Sequence, residues 1–380
     1  MDCDIPSEPP TATFADNFKR RRNWIISAIL SVCVCWQWFI ILAAITLTGC
    51  DFASSPNTPP FSEPNPSAEV RDVRNRFREL YCVIRNHHGY QLPDDRPCEE
   101  ALWHFSDAAS PTNRPLQLDK ATRRLRVVVV PGIFGECVTQ WITPFAYALA
   151  HLRQHGYRTG LIQVSGRSSS TYNAKQIREA LLAYPNHEKW ILIGYSKGIA
   201  DILEALVAYP ELHHQTAAVV SVAGAVKGTP LADQVPDRLL RWLYKIMVPT
   251  CPTGDHGGIV SLRRSVRRAW LSRHSLPASV AYFSLPSFAY RSEISLILRP
   301  SYWQLSQIDP RNDSQVIFSD AIIPDSTLLG FAKADHWAVA LPFSREFPLL
   351  AATLINHNAF PREVLLEATV RFIEEDLPLR

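Results

Sequence analysis

The sequence predicts an α/β fold in which a mostly parallel sheet is flanked by helices. Three observations predict it. Short β-branched runs, of which Arg126-Val127-Val128-Val129-Val130 is the strongest, stop abruptly at Pro131-Gly132, as buried parallel strands do. Such runs alternate along the chain with amphipathic helical stretches, the pattern of right-handed crossovers. The 380 residues are 47% apolar and 20% charged, enough to bury a large core and too apolar for a disordered chain. The formal net charge is +3 with no long basic block, which argues against a nucleic-acid partner.

The elements run as follows. Residues 1–23 are polar and end in Lys19-Arg20-Arg21-Arg22, and Trp24 to Leu47 contain no charge. As a helix this run spans about 36 Å, enough for a bilayer core of about 30 Å. The basic cluster stays cytoplasmic and sends the remainder outward. The run ends in Leu47-Thr48-Gly49-Cys50, which resembles a bacterial lipoprotein signal. That resemblance implies cleavage before Cys50 and diacylation of its thiol. The apolar region exceeds the usual 7–15 or so residues of a signal peptide, so an uncleaved anchor is the alternative. Residues 1–49 are thus a signal peptide or signal anchor. Either one holds the protein at a bacterial cell envelope by a membrane anchor, with the folded part outside the cytoplasm. Residues 50–67 form a tether, with Pro56, Pro59, Pro60, Pro64 and Pro66 keeping it extended.

Cys3, Cys33 and Cys35 lie in the leader, and Cys50 is the lipid-anchor candidate. Cys82, Cys98, Cys137 and Cys251 remain, an even number in an oxidising compartment. Of three pairings, Cys82–Cys98 with Cys137–Cys251 is favoured by closeness in sequence; free buried thiols are the alternative. None of these cysteines has the spacing of a zinc site, and no metal is expected.

Residues 68–120 read as an N-terminal helical layer. One amphipathic helix covers 68–88 on Val70, Val73, Phe77, Leu80, Tyr81 and Ile84, and a second covers 98–107. The main domain, 121–380, opens with the strand at 126–130. A helix over 139–155, a strand over Tyr157–Val164, a helix over Asn173–Ala183, a strand over Trp190–Ile193 and a helix to Tyr209 follow. Further strands are expected at Ala217–Val222, at Val280–Leu285 and near Ile317-Phe318. Residues 230–280, rich in Arg, Leu and Trp, read as a helical lid-like insertion.

Gly194-Tyr195-Ser196-Lys197-Gly198 falls between a strand and a helix. A serine flanked by glycines at this spacing is the nucleophile elbow of the α/β-hydrolase fold. A serine hydroxyl needs a base, and the base needs an orienting acid, in the order Ser, acid, His. Asp320 stands in Phe318-Ser319-Asp320-Ala321-Ile322-Ile323-Pro324, followed by Ser326-Thr327-Leu328-Leu329-Gly330 and Ala334-Asp335-His336-Trp337. These segments resemble the lipases of the α/β-hydrolase superfamily. The resemblance implies Ser196 as nucleophile, His336 as general base and Asp320 as its acid, with Asp325 and Asp335 as competing acids. Pro131-Gly132-Ile133-Phe134-Gly135 resembles the lipase oxyanion turn, with proline in place of histidine, and implies Ile133 and Lys197 N–H as the donors. Val164-Ser165-Gly166-Arg167-Ser168-Ser169 and Gly228-Thr229-Pro230-Leu231-Ala232-Asp233 match further lipase segments, although Ala225-Val226 replace the usual Pro-His. The likeness covers about 125–345.

Fold does not give substrate. The lipase-like motifs, the apolar insertion and the membrane tether together imply an acyl ester or lipid substrate, hydrolysis through an acyl-enzyme, no cofactor and a monomer. An acyltransferase with the same triad, a peptidase or thioesterase, and a non-catalytic envelope binding protein are the alternatives. Arg263, Arg264, Arg267 and Arg268 are read as a solvated helix face, or alternatively as contacts for anionic head groups.

Overall fold

In the computed structural model, residues 61, 70–105, 112, 114, 118, 125–133, 141–185, 188–238, 240 and 254–377 are described. The leader, Cys50, most of the tether, Cys137, Cys251 and much of the insertion (239 and 241–253) lie outside them. No helix among the described residues is long and apolar enough to cross a membrane.

Seven strands build one sheet: β1 (Arg71–Asp72), β2 (Leu125–Val130), β3 (Arg158–Leu161), β4 (Lys189–Tyr195), β5 (Thr216–Val222), β6 (Ala281–Leu285) and β7 (Thr327–Leu328). Their order is β1-β7-β6-β5-β4-β2-β3, and every pairing is parallel. The longer helices are α1 (Arg74–His87), α2 (Ala146–Gln154), α3 (Ser170–Leu182), α4 (Lys197–Ala208), α5 (Arg264–Leu271), α6 (Arg299–Ser306) and α7 (Arg362–Asp376).

The period-2 alternation of the strands decides the layers. Val127, Val129, Ile191, Ile193 and Val220 point to one face and pack with Phe77 and Leu80 of α1, Leu152 of α2, and Leu365 of α7. Val128, Val130, Leu192 and Val219 point to the other and pack with Ile177 of α3 and Ile202 and Leu206 of α4. At about 25 cal/mol per Å² of apolar surface removed from water, these two clusters dominate the fold's stability.

Several expected elements differ: the helix expected over 139–155 starts at Ala146, and the strand expected over Tyr157–Val164 is confined to Arg158–Leu161. The helix predicted from residue 68 starts at Arg74, because Arg71 and Asp72 pair with β7 and Val73 N–H donates to Leu328 O at 3.1 Å. The helix predicted over 98–107 stops at Ala101. Beyond it Leu102 bridges Ala332, and Trp103 stacks on Phe288 and donates from its indole to Phe288 O at 2.8 Å. The strand expected near Ile317-Phe318 is a 3₁₀ turn, Phe318–Asp320. Cys82 and Cys98 form a disulfide that ties α1 to the short helix ending at Ala101.

Candidate active site

The nucleophile candidate sits where β4 runs directly into α4. Ser196 has φ 54° and ψ −122°, a conformation that costs a non-glycine residue about 1–3 kcal/mol. The surroundings enforce it. A Cβ on Gly194 would lie 2.4 Å from Ile199 Cα, and one on Gly198 would lie 2.1 Å from Val130 O. Both glycines therefore let the helix fold back against the sheet. Ala225 N–H donates to Ser196 O at 2.9 Å and fixes the turn from the neighbouring loop.

His336 Nε2 lies 2.9 Å from Ser196 Oγ, and His336 Nδ1 lies 2.8 Å from Asp313 Oδ2. A carboxylate at Asp313 accepts from Nδ1–H, which leaves the Nε2 lone pair facing the serine hydroxyl. The imidazole is locked from several sides. Its own backbone N–H donates to Asp313 O at 2.8 Å. Tyr195 stacks on the ring at 5.1 Å and donates from its hydroxyl to His336 O at 2.8 Å. Burial pushes the Tyr195 phenol far above its ordinary range, so it stays a donor. Ser196 and His336 are 8% and 4% exposed, largely shielded from water.

Asp313, which the sequence reading did not single out, occupies the place expected of Asp320. It sits in a loop held by many polar contacts. Its Oδ1 accepts from Gln315 N–H at 2.9 Å and Val316 N–H at 2.7 Å, and its Oδ2 also accepts from Ser287 Oγ at 2.9 Å. Ser314 adopts φ 83°, and Asn312 Oδ1 accepts from Ser314 N–H at 3.0 Å. Thr229 Oγ1 donates to Gln315 O at 2.5 Å, so the Gly228-Thr229-Pro230 segment braces this loop.

Contrary to the expectation from sequence, Asp320 turns toward α5, and the carboxylate on His336 is that of Asp313. Arg264 Nε lies 3.0 Å from Asp320 Oδ2, and Arg268 Nη2 lies 3.4 Å from Oδ1. Burial raises its carboxyl above the ordinary range, against the pull of Arg264 and Arg268. The competing acids are also engaged elsewhere or absent from the site. Asp325 is exposed with φ 55°. Asp335 accepts from Ser295 Oγ at 2.6 Å and from Ala338 N–H at 2.8 Å, which anchors the histidine loop, and burial raises its carboxyl. The arginines form a solvated face only in part: Arg268 is exposed, Arg263 and Arg264 are half-buried and Arg267 is buried. Arg267 is 1% exposed and donates to Val226 O at 3.2 Å, and Arg263 pairs with Asp237 at 2.6 Å.

The turn after β2 meets the serine. A Cβ on Gly132 would lie 2.7 Å from Ser196 Cβ and 3.0 Å from Ser196 Oγ, so the Gly132–Ile133 peptide runs beside the nucleophile. Lys197 opens α4 immediately after Ser196. Its side chain is buried and paired with Asp201 at 2.6 Å, and Asn173 donates to the other Asp201 oxygen at 2.8 Å. Only the backbone of Lys197 is thus available to a substrate. Ile133 packs against an apolar cluster that includes Ala225, Leu262, Val316 and Ala321.

The chain is 44% identical to a metagenomic carboxyl esterase of known structure, with a TM-score of 0.79 over 84% of this chain and 97% of that one. Staphylococcus hyicus lipase is 15% identical, with a TM-score of 0.50 over 70% of this chain and 99% of that one, a likeness of fold alone. No family model matches the chain, and no curated protein sequence matches it.

Proposed function

This chain belongs to the carboxyl esterases of the α/β-hydrolase fold and cleaves esters, and we propose that it does so through a Ser196–His336–Asp313 triad and an acyl-enzyme. The observation that carries this reading is the unbroken pair of hydrogen bonds, 2.8 Å from Asp313 to His336 and 2.9 Å from His336 to Ser196. Ser196 Oγ attacks the acyl carbonyl while its proton passes to His336 Nε2. Asp313 holds the imidazole in the required tautomer and stabilises the imidazolium. The oxyanion accepts from the N–H groups of Ile133 and Lys197. His336 returns the proton to the leaving alkoxide, and water, deprotonated in turn by His336, releases the acid.

The substrate is an ester of an acyl lipid, handled at the outer face of a bacterial envelope membrane. Two features support this. The apolar cluster against Ile133 offers a wall for an acyl chain next to the oxyanion turn. The uncharged run from Trp24 to Leu47, followed by Cys50 and a proline-rich tether, supports a membrane anchor.

The reading is tested with the full-length chain in detergent. A fluorophosphonate should label Ser196 stoichiometrically, and Ser196→Ala should lose both the label and ester turnover. Retention of turnover in Ser196→Ala would refute the nucleophile. A p-nitrophenyl ester series from short to long acyl chains tests the substrate class. A preference confined to the shortest esters would sink the lipid assignment.

A further inference from the structure

A second cluster of functional side chains stands in the helical layer of α1, α2 and α7. His88 follows the end of α1, His151 lies in α2, His155 caps its end, and Glu367 lies in α7. Each offers one ligand atom, and these atoms all lie within 4.8 Å of one another. None of the four contributes to the contacts of Ser196, His336 or Asp313 described above.

We propose that His88, His151, His155 and Glu367 bind one divalent transition-metal ion, and that zinc is the ion their chemistry suits. Three imidazoles and a carboxylate are a favourable donor set for zinc, and four protein ligands close a tetrahedral site. Tetrahedral zinc requires donor atoms about 3.3 Å apart, so the wider pairs must close and the Glu367 pairs must open by about half an ångström. Glu367 Oε2 lies 2.8 Å from His88 Nε2 and 2.7 Å from His151 Nε2, hydrogen bonds that the ion would replace.

The arrangement is organised around that centre rather than around Glu367 alone. His151 and His155 stand four apart on one helix face, with ring centroids 4.4 Å apart. His155 makes no hydrogen bond to Glu367. Its Nδ1 is bonded to His151 O at 3.0 Å, which turns Nε2 into its donor atom. Arg371 Nε donates to Glu367 Oε1 at 2.7 Å, which orients the carboxylate and leaves Oε2 for the ion. The helices come close because Gly89 has no side chain: a Cβ there would lie 2.5 Å from Val364 Cγ2. His88 and His155 are half-buried, so an ion reaches the cluster from solvent. The site clamps α1 and α7 to α2.

The test uses tag-free full-length protein in detergent, stripped with chelator and titrated with zinc chloride by calorimetry. The expected result is one ion per chain and a raised Tm. His155→Gln and His88→Gln should each weaken binding more than about tenfold and abolish the rise in Tm. Their ester turnover should be unchanged, since neither residue belongs to the proposed catalytic machinery. Zinc-edge X-ray absorption of the parent protein needs no variant and should show a nitrogen and oxygen shell with imidazole scattering. No stoichiometric binding, undiminished binding in both variants, or sulfur in the zinc shell would each overturn the proposal.

Discussion

Replacing Asp313 by asparagine tests the triad with little change in shape. The structure predicts which way the new amide turns. At present one carboxylate oxygen accepts from the N–H groups of Gln315 and Val316, and the other faces His336 Nδ1 and Ser287 Oγ. Two backbone donors hold the asparagine oxygen on their side, so its NH₂ must face His336. Nδ1 then becomes an acceptor, and the imidazole proton moves to Nε2, facing Ser196. That tautomer offers the serine no base. Loss of the correct tautomer in a serine triad lowers kcat about 10⁴-fold, equivalent to about 5.4 kcal/mol of barrier. Asp320→Asn is the control. It leaves His336 untouched, so kcat should stay within about tenfold, while weakened contacts with Arg264 and Arg268 lower stability by about 1–3 kcal/mol. The assay is p-nitrophenyl ester hydrolysis on variants whose near-ultraviolet circular dichroism matches the parent. A folded Asp313→Asn variant within tenfold of the parent, or an equal loss from Asp320→Asn, would refute the reasoning.

Two further outcomes follow from the same geometry. Gly132→Ala places a methyl group 2.7 Å from Ser196 Cβ and 3.0 Å from its Oγ, so kcat should fall about 10²–10³-fold and Tm should fall as the elbow shifts. Unchanged kcat would show that the Gly132–Ile133 peptide takes no part. Arg264→Met removes one of the two cations opposing the burial of Asp320, whose carboxyl already titrates above its ordinary value. A raised carboxyl pKa means that stability from this group is fully present below the unfolded value of about 3.9 and lost as pH rises through the folded value. Removing Arg264 raises the folded value further. The variant should therefore lose about 2 kcal/mol near pH 7 and progressively less as pH falls toward the unfolded value in urea melts. A pH-independent loss would contradict it.

What could be read from the sequence depended on whether the physics was local. The elbow was legible because Gly194, Ser196 and Gly198 meet their steric demands within five residues, and the β-branched run at 126–130 announces its strand by composition alone. Asp313 was not legible. An acid past the end of an apolar run is the local expectation, but Val316, Ile317 and Phe318 are buried in a turn region, and the acid that meets His336 stands just before them. Asp320 misled because a buried carboxylate beside a small residue looks the same in sequence whether it faces a histidine or two arginines 52 and 56 positions away. The His/Glu cluster was hidden for a similar reason. Residues 88, 151, 155 and 367 become neighbours only when three helices pack.

The short outer strands have a consequence for how copies of this protein meet one another. An exposed strand is a template on which another chain can add itself, and its reach is set by how many backbone groups it leaves unpaired. Here the sheet ends in two residues at β1 and four at β3. Because β1 belongs to the segment that precedes α1, the chain's approach to α1 also covers β7. A protease cut before residue 70 would leave that cover in place. A cut between residues 72 and 74 would uncover β7, itself only two residues long, so even the trimmed sheet would offer a second copy no more backbone than before.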